Sequence, residues 1–265
     1  MTQQSTILNF FEKIFRSNIY LFLISRFLIG KYLSKFIYDS DFKIIKILEK
    51  NNFFDKNKLI LDIGANDGMS YNIIRKFSKY SKIISFEPDE YNYKNLKKKE
   101  MRDKFFKCKK IGLSNLKKVQ SFFIPFYKDY PISQMAGINK LGVKNRLKNS
   151  LYEKNLLKKI FFKKMKIRTD KLDNLKYSPS FIKIDIEGHE YECIQGSLKT
   201  IKKFKPIIMV EYDKKICNKI FTLIKKFKYE KFIYNKNEKN IEKYNNQKIF
   251  NLFFINEKDL RYISQ

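Results

Sequence analysis

Two short stretches carry residues whose types and spacing can do chemistry. In the first, the apolar run Leu59-Ile60-Leu61 leads into Asp62-Ile63-Gly64-Ala65-Asn66-Asp67-Gly68, and helical spacing takes over at Ser70-Tyr71-Asn72-Ile73-Ile74. A buried strand, a turn holding two glycines and a helix together bring backbone N–H groups and a helix N-terminus towards a ligand. Gly64 and Gly68 adopt backbone angles that other residues resist, and without a Cβ they let the ligand approach. A second strand pattern, Lys82 to Phe86, ends in Glu87-Pro88-Asp89. Glu87 lies about 20 residues past the glycines, the distance at which a carboxylate accepts hydrogen bonds from ribose hydroxyls. The two features in register predict a pocket for an adenosine-containing cofactor, and the departure from G-x-G-x-x-G argues against NAD.

The second stretch is Phe181-Ile182-Lys183-Ile184-Asp185-Ile186-Glu187-Gly188-His189-Glu190. Its first half is a buried strand and its second half starts a helix. Asp185, Glu187, His189 and Glu190 crowd one turn at the carboxyl end of that strand. Like charges this close raise one another's pKa, so the turn can hold a base or a cation. Asp185, Glu187 and Glu211 supply oxygen ligands of the kind that suits a divalent cation such as Mg²⁺. Acidic residues also favour helix N-termini through the macrodipole, which is the plainer account of Glu187 and Glu190.

These residues need a frame. Strands predicted at 59–63, 82–86, 105–113, 181–185 and 206–212 alternate with helices, an alternation that builds a mostly parallel sheet with helices on both faces. Ligands of such sheets bind outside the carboxyl ends of the strands, the rim that Asp62, Glu87, Ser114-Asn115 and Asp185 share. Val119 to Pro125 reads as a further strand in a hairpin beside the main sheet. Lys231 to Tyr234 and Ile249 to Ile255 read as paired closing strands, the last antiparallel. Residues 1–50 form an N-terminal helical extension, and 51–265 form the main domain. Within that domain, 126–162 is an insert suited to a lid or to acceptor recognition.

Hydrophobic residues make up 43% of the 265-residue chain, enough for a substantial core and against disorder. Cys108, Cys193 and Cys217 match neither a disulfide framework nor a zinc cluster, which points to a reducing cytoplasm. The net charge of +30 suggests nucleic acid or an anionic membrane. Abundant Lys, Asn, Ile, Phe and Tyr with no Trp also reflect a low-GC coding composition, and the lysines are scattered, so nucleic acid ranks behind that explanation. Phe15, Ile19, Phe22, Leu23 and Phe27 fall at helical spacing. The segment 14–38 therefore reads as an amphipathic helix that packs on its own domain or makes peripheral contact with the inner face of a membrane. Its apolar run, Ile19 to Ile29, is interrupted by Arg26 and shorter than the roughly 20 residues a membrane span requires, and no signal-peptide cleavage pattern follows it.

Asp62, the glycine loop and Asn66-Asp67 resemble the first motif of S-adenosylmethionine-dependent methyltransferases. With Phe86-Glu87-Pro88, Ile111-Gly112-Leu113-Ser114-Asn115 and Ile182-Lys183-Ile184-Asp185-Ile186-Glu187-Gly188-His189-Glu190, the order and spacing resemble the FkbM family of methyltransferases over roughly residues 55–215. The resemblance implies a Rossmann-like class I methyltransferase fold with a seven-stranded sheet. It implies S-adenosylmethionine as methyl donor, and O-methylation of a hydroxyl on a sugar in a glycan or secondary metabolite. Carried over, residues Asp62, Gly64, Ala65, Asn66, Asp67 and Gly68 cradle the methionine part, and Glu87 with Pro88 holds the ribose. Ser114 and Asn115 lie near the adenine, and Asp185 faces the reacting methyl. Asp185 or His189 then takes the acceptor's proton, with Glu187 or Glu211 orienting it. An RNA methyltransferase and a non-catalytic module at a membrane or in a complex are the competing expectations.

Overall fold

A computed structural model of the protein describes residues 39–54, 58–150 and 157–263. The predicted amphipathic segment 14–38 lies outside the described residues. The chain divides into two compact units, residues 35–120 with 167–265 forming the larger.

The larger unit is built on an eight-stranded sheet. In chain order its strands are β1 (Leu59–Ile63), β2 (Lys82–Phe86) and β3 (Phe106–Lys109), then β8 (Phe181–Ile184), β9 (Ile207–Glu211), β10 (Tyr229–Asn235), β11 (Asn240–Lys243) and β12 (Asn251–Asn256). Across the sheet they run β11-β10-β12-β9-β8-β1-β2-β3. The block from β3 to β9 is parallel, whereas β12 enters antiparallel between β9 and β10. Seven of these strands correspond to the expected sheet with its antiparallel last strand. The eighth, β11, is an edge strand antiparallel to β10 in what the sequence suggests is a polar loop.

Strand alternation sends neighbouring side chains into two cores. Ile60, Phe181, Met209 and Phe253 pack on one face with Phe42, Ile45 and Leu48 of helix α1 (Asp39–Lys50), Ile73 and Ile74 of α2 (Met69–Phe77) and Leu96 of α3 (Glu90–Glu100). Leu61, Ile182, Val210 and Phe254 pack on the other, against α5 (Glu190–Gln195), α6 (Leu198–Phe204) and α7 (Lys214–Ile224). Helix α1, which closes the predicted extension, thus supplies core side chains to this unit.

One predicted strand is two. The run 105–113 breaks after Lys109, and Gly112–Leu113 forms β4, which leaves the main sheet and pairs in parallel with the end of β7 (Ile160–Asp170). The cause is local. The Lys109 carbonyl accepts from both Glu87 N and Ile111 N, which turns the chain out of the sheet.

Among described residues, the smaller unit comprises 121–150 and 157–166. Here β5 (Lys118–Tyr127) folds back on β6 (Tyr130–Pro131) as the expected hairpin, and helix α4 (Lys140–Ser150) follows. Ile132, Met135, Val143, Leu147 and Ile160 form its core, and the Arg146 guanidinium donates to the carbonyls of Met135 and Ala136. Among described residues, no helix is long and apolar enough to cross a membrane.

Candidate functional site

The site lies in the larger unit, at the carboxyl ends of β1, β2 and β8. Gly64 and Gly68 take φ of +80° and +85°, and Asn66 between them takes +49°. The turn is anchored by Gly64 N and Ala65 N donating to Phe86 O (3.0 and 3.2 Å) and closed by Gly68 N donating to Ala65 O (2.9 Å). A Cβ on Gly64 would lie 1.9 Å from the Asp185 carbonyl oxygen, so the loop and the turn after β8 touch there. No other residue type fits.

Asp62 is fully buried. Its Oδ2 accepts from Ser70 Oγ (2.6 Å) and Ser85 Oγ (3.1 Å), while Oδ1 has no hydrogen-bond partner. The Asn66 side-chain oxygen is likewise buried without a partner. Ala65 is buried, whereas Asp67 is exposed and its carboxylate accepts from Met69 N (3.1 Å) at the start of α2. Glu87 is buried at the end of β2 and accepts from Asn66 N and Asp89 N, each at 2.8 Å. Burial pushes its pKa up to about 8 against the pull of those two amides, and the charges of Asp89 and Asp62 add to the rise. Half-buried Pro88 leads to Asp89, whose carboxylate accepts from Tyr91 N (2.9 Å) to cap α3.

Across the loop, Asp185 is 43% exposed and its Oδ2 lies 3.2 Å from Lys183 Nζ. Lys183 is the residue that sequence reasoning passed over. Its ammonium is buried beneath the loop, 3.2 Å from Gly64 O and 3.6 Å from Asp62 Oδ1. Burial opposes its charge, but the carboxylates of Asp185 and Asp62 outweigh that and hold the pKa above lysine's ordinary value. The available signal was a lysine inside the otherwise apolar run Phe181-Ile182-Lys183-Ile184, because a buried ammonium requires a carboxylate partner.

The rest of the acidic turn is put to several uses. Glu190 Oε1 accepts from Ile186 N and Gly188 N (both 3.1 Å), the helix-terminus role that competed with catalysis. Glu187 is half-buried with φ +58°. His189 turns to Ser114, with Nε2 2.9 Å from Ser114 Oγ and Nδ1 3.5 Å from a Glu192 carboxylate oxygen. Its pKa is lowered by burial and by Lys118, against the pull of Glu192. Asn115 donates to Gln195 (3.1 Å). Ser114 and Asn115 therefore follow β4, not a third sheet strand, and are fastened to α5 through His189 and Gln195.

The expected cation set does not assemble. Among described residues no three His, Cys, Asp or Glu side chains gather as a metal site, so Asp185, Glu187 and Glu211 do not converge. The counter-charge to Asp185 is the Lys183 ammonium.

The strand order, with its inserted antiparallel strand, and a glycine loop facing a ribose-distance carboxylate define the Rossmann-like α/β fold of the class I methyltransferases. The sequence model of the methyltransferase FkbM domain matches residues 62–237, and the chain belongs to that family. Similar solved structures include the FkbM methyltransferase of Methylobacillus flagellatus KT (16% identity, 76% of this chain and 44% of that one, TM-score 0.47). A precorrin-6y C5,15-methyltransferase of Geobacter metallireducens GS-15 is 8% identical over 80% of this chain and 84% of its own, with TM-score 0.39. An S-adenosylmethionine-dependent O-methyltransferase of Thermotoga maritima is 8% identical over 83% and 65%, with TM-score 0.40. The chain spans less than half the length of the Methylobacillus protein. None of the curated proteins matches it.

The family implies S-adenosylmethionine, and the residues fit it. Among described residues, Asn66 Oδ1 is a buried acceptor without a donor and Asp62 Oδ1 makes no hydrogen bond, its one close cation being Lys183 Nζ at 3.6 Å, so both have capacity for an ammonium-bearing ligand, and Glu87 still has lone pairs for a diol.

Proposed function

We propose that the protein O-methylates a hydroxyl on a sugar, in a glycan or a secondary metabolite, using S-adenosylmethionine. The observation that carries this reading is the half-exposed Asp185 carboxylate, held against the glycine loop by Lys183. Bound S-adenosylmethionine supplies an electrophilic methyl group. Asp62 and Asn66 hold the methionine ammonium end, and Glu87 accepts from the ribose hydroxyls. A sugar hydroxyl is a weak nucleophile that must shed its proton as it attacks, and the Asp185 carboxylate accepts that proton. His189 has both ring nitrogens directed at protein groups, which favours Asp185 as the base and gives His189 the task of holding the 114–115 segment. Alignment of the acceptor supplies most of the rest. Three buried free thiols support action in a reducing cytoplasm.

Titration calorimetry with S-adenosylmethionine, S-adenosylhomocysteine and NAD tests the cofactor. Micromolar binding of the first two alone, lost in Glu87→Ala, is the expected result. Transfer of labelled methyl to a panel of nucleotide sugars and cell-surface glycans, abolished by Asp185→Asn, tests the acceptor class. Transfer unchanged in that variant removes Asp185 from the chemistry.

A further inference from the structure

Two carboxylates and one ammonium meet at the crevice floor, and the ammonium belongs to a lysine that the methyl-transfer reading does not need for binding or proton transfer. Lys183 Nζ sits among Gly64 O, Asp185 Oδ2 and Asp62 Oδ1 at 3.2, 3.2 and 3.6 Å, with the Lys183 and Asp62 side chains 8% and 0% exposed. The trio carries one net negative charge. Without the lysine it would carry two, one of them on the fully buried Asp62, where water screens little.

That matters because the two forms of the cofactor differ in charge. S-adenosylmethionine carries a sulfonium, whereas S-adenosylhomocysteine carries a neutral thioether, and the two are otherwise alike. A more negative floor binds the sulfonium more tightly relative to the thioether. It would thereby stabilise the charged ground state, whose charge disappears as the methyl leaves, and so work against transfer.

We propose that Lys183 sets the cofactor selectivity of this site, holding the crevice at one net negative charge so that the sulfonium is not bound too tightly relative to the thioether product. The inference rests on the S-adenosylmethionine reading above. Glu87 and the shared adenosine and amino-acid groups affect both ligands alike and cancel in the ratio of their affinities.

The test is a charge series read as the ratio of the two dissociation constants, thioether over sulfonium, by titration calorimetry. Lys183→Arg keeps the charge and should leave the ratio unchanged. Lys183→Met adds a net negative charge and should raise the ratio on the order of tenfold, the effect of one unit charge about 12 Å away at an effective dielectric of about 20. Asp62→Asn should lower it by a similar factor, and the double variant Asp62→Asn/Lys183→Met should return it to the parental value. The double variant keeps the parental net charge, one negative, on the part-exposed Asp185, so it and Asp62→Asn carry the test where Lys183→Met alone fails to fold. A ratio indifferent to this series, with both affinities falling together, shows Lys183 to be structural only and overturns the inference. If the unchanged protein binds neither ligand, the cofactor reading falls and the inference falls with it.

Discussion

At Glu87 a carboxyl that should accept from a diol is, in the ligand-free protein, largely protonated at neutral pH. Burial raises its pKa to about 8. A ligand that donates two hydroxyls to the ionised form must expel that proton, so affinity for S-adenosylmethionine should rise by up to about tenfold per unit as pH climbs from 6 towards 8, then level off. Calorimetry in buffers of different ionisation enthalpy should detect the released proton, and Glu87→Gln should abolish both the slope and the release. Stability runs the other way. A folded pKa raised above the unfolded value of 4.5 gives a contribution that is full below about 4.5 and is lost as pH rises through about 8. Beside it, Ser70 donates at 2.6 Å to the buried Asp62 carboxylate. Ser70→Ala should cost about 1.5–3 kcal/mol in urea denaturation, the usual worth of a hydrogen bond to a charged group.

Elements fix these residues by contact of backbone with backbone. Gly64 against Asp185 O and Gly196 against Ser114 O leave 1.9 and 2.0 Å for a Cβ, so the glycine loop rests on the turn after β8 and the 114–115 segment rests on the end of α5. Gly64→Ala, with φ at +80° as well, should cost more than about 3 kcal/mol and prevent cofactor binding. Helix α3 and β3 are tied by Glu100, which accepts from Cys108 N and Sγ (both 3.1 Å) and pairs with Lys97 and Lys107 at 3.1 and 3.4 Å. Burial opposes its ionisation, but the Cys108 donors and the two lysines outweigh that and draw the carboxyl down to about 2. A depressed pKa means stability that is present above about 4.5 and lost as pH falls through about 2. Glu100→Gln should therefore cost about 1 kcal/mol at pH 7, and the gap to the parent protein should close on acidification. Strands β1, β8 and β9 were readable as nearly continuous apolar runs because both of their faces are buried. The polar strand β11 and the exit at Lys109 were not, because edge pairing and a shared carbonyl leave no periodicity in the sequence. Asp62, Gly64, Glu87 and Asp185 were legible as residues at strand ends. Lys183 was legible only as a lysine out of place in an apolar run, because Asp185 lies two residues on but its other partners, Asp62 and Gly64, come from β1 and the glycine loop more than a hundred positions away.

At the scale of the whole molecule the question is what 57 basic against 27 acidic residues do. A large one-signed charge repels itself in the compact state, and salt relieves it. If the charge is a property of composition spread over the surface, raising ionic strength from about 20 to about 300 mM should lift the thermal midpoint by several degrees, because the Debye length shrinks from roughly 20 to below 10 Å. Polyanions of any kind should stabilise to the same degree at equal charge. If instead the lysines form a track to the crevice, as an RNA-methylating enzyme would need, structured RNA should bind far better than heparin of matched charge. Its affinity should then fall about 10³- to 10⁵-fold between about 50 and 200 mM salt, the slope of six to ten phosphate contacts. The scatter of lysines along the sequence favours the first outcome. A differential scan with salt, heparin and RNA side by side separates the two, and a preference for RNA that survives in heparin-saturated protein would replace the sugar hydroxyl with a nucleotide as the acceptor.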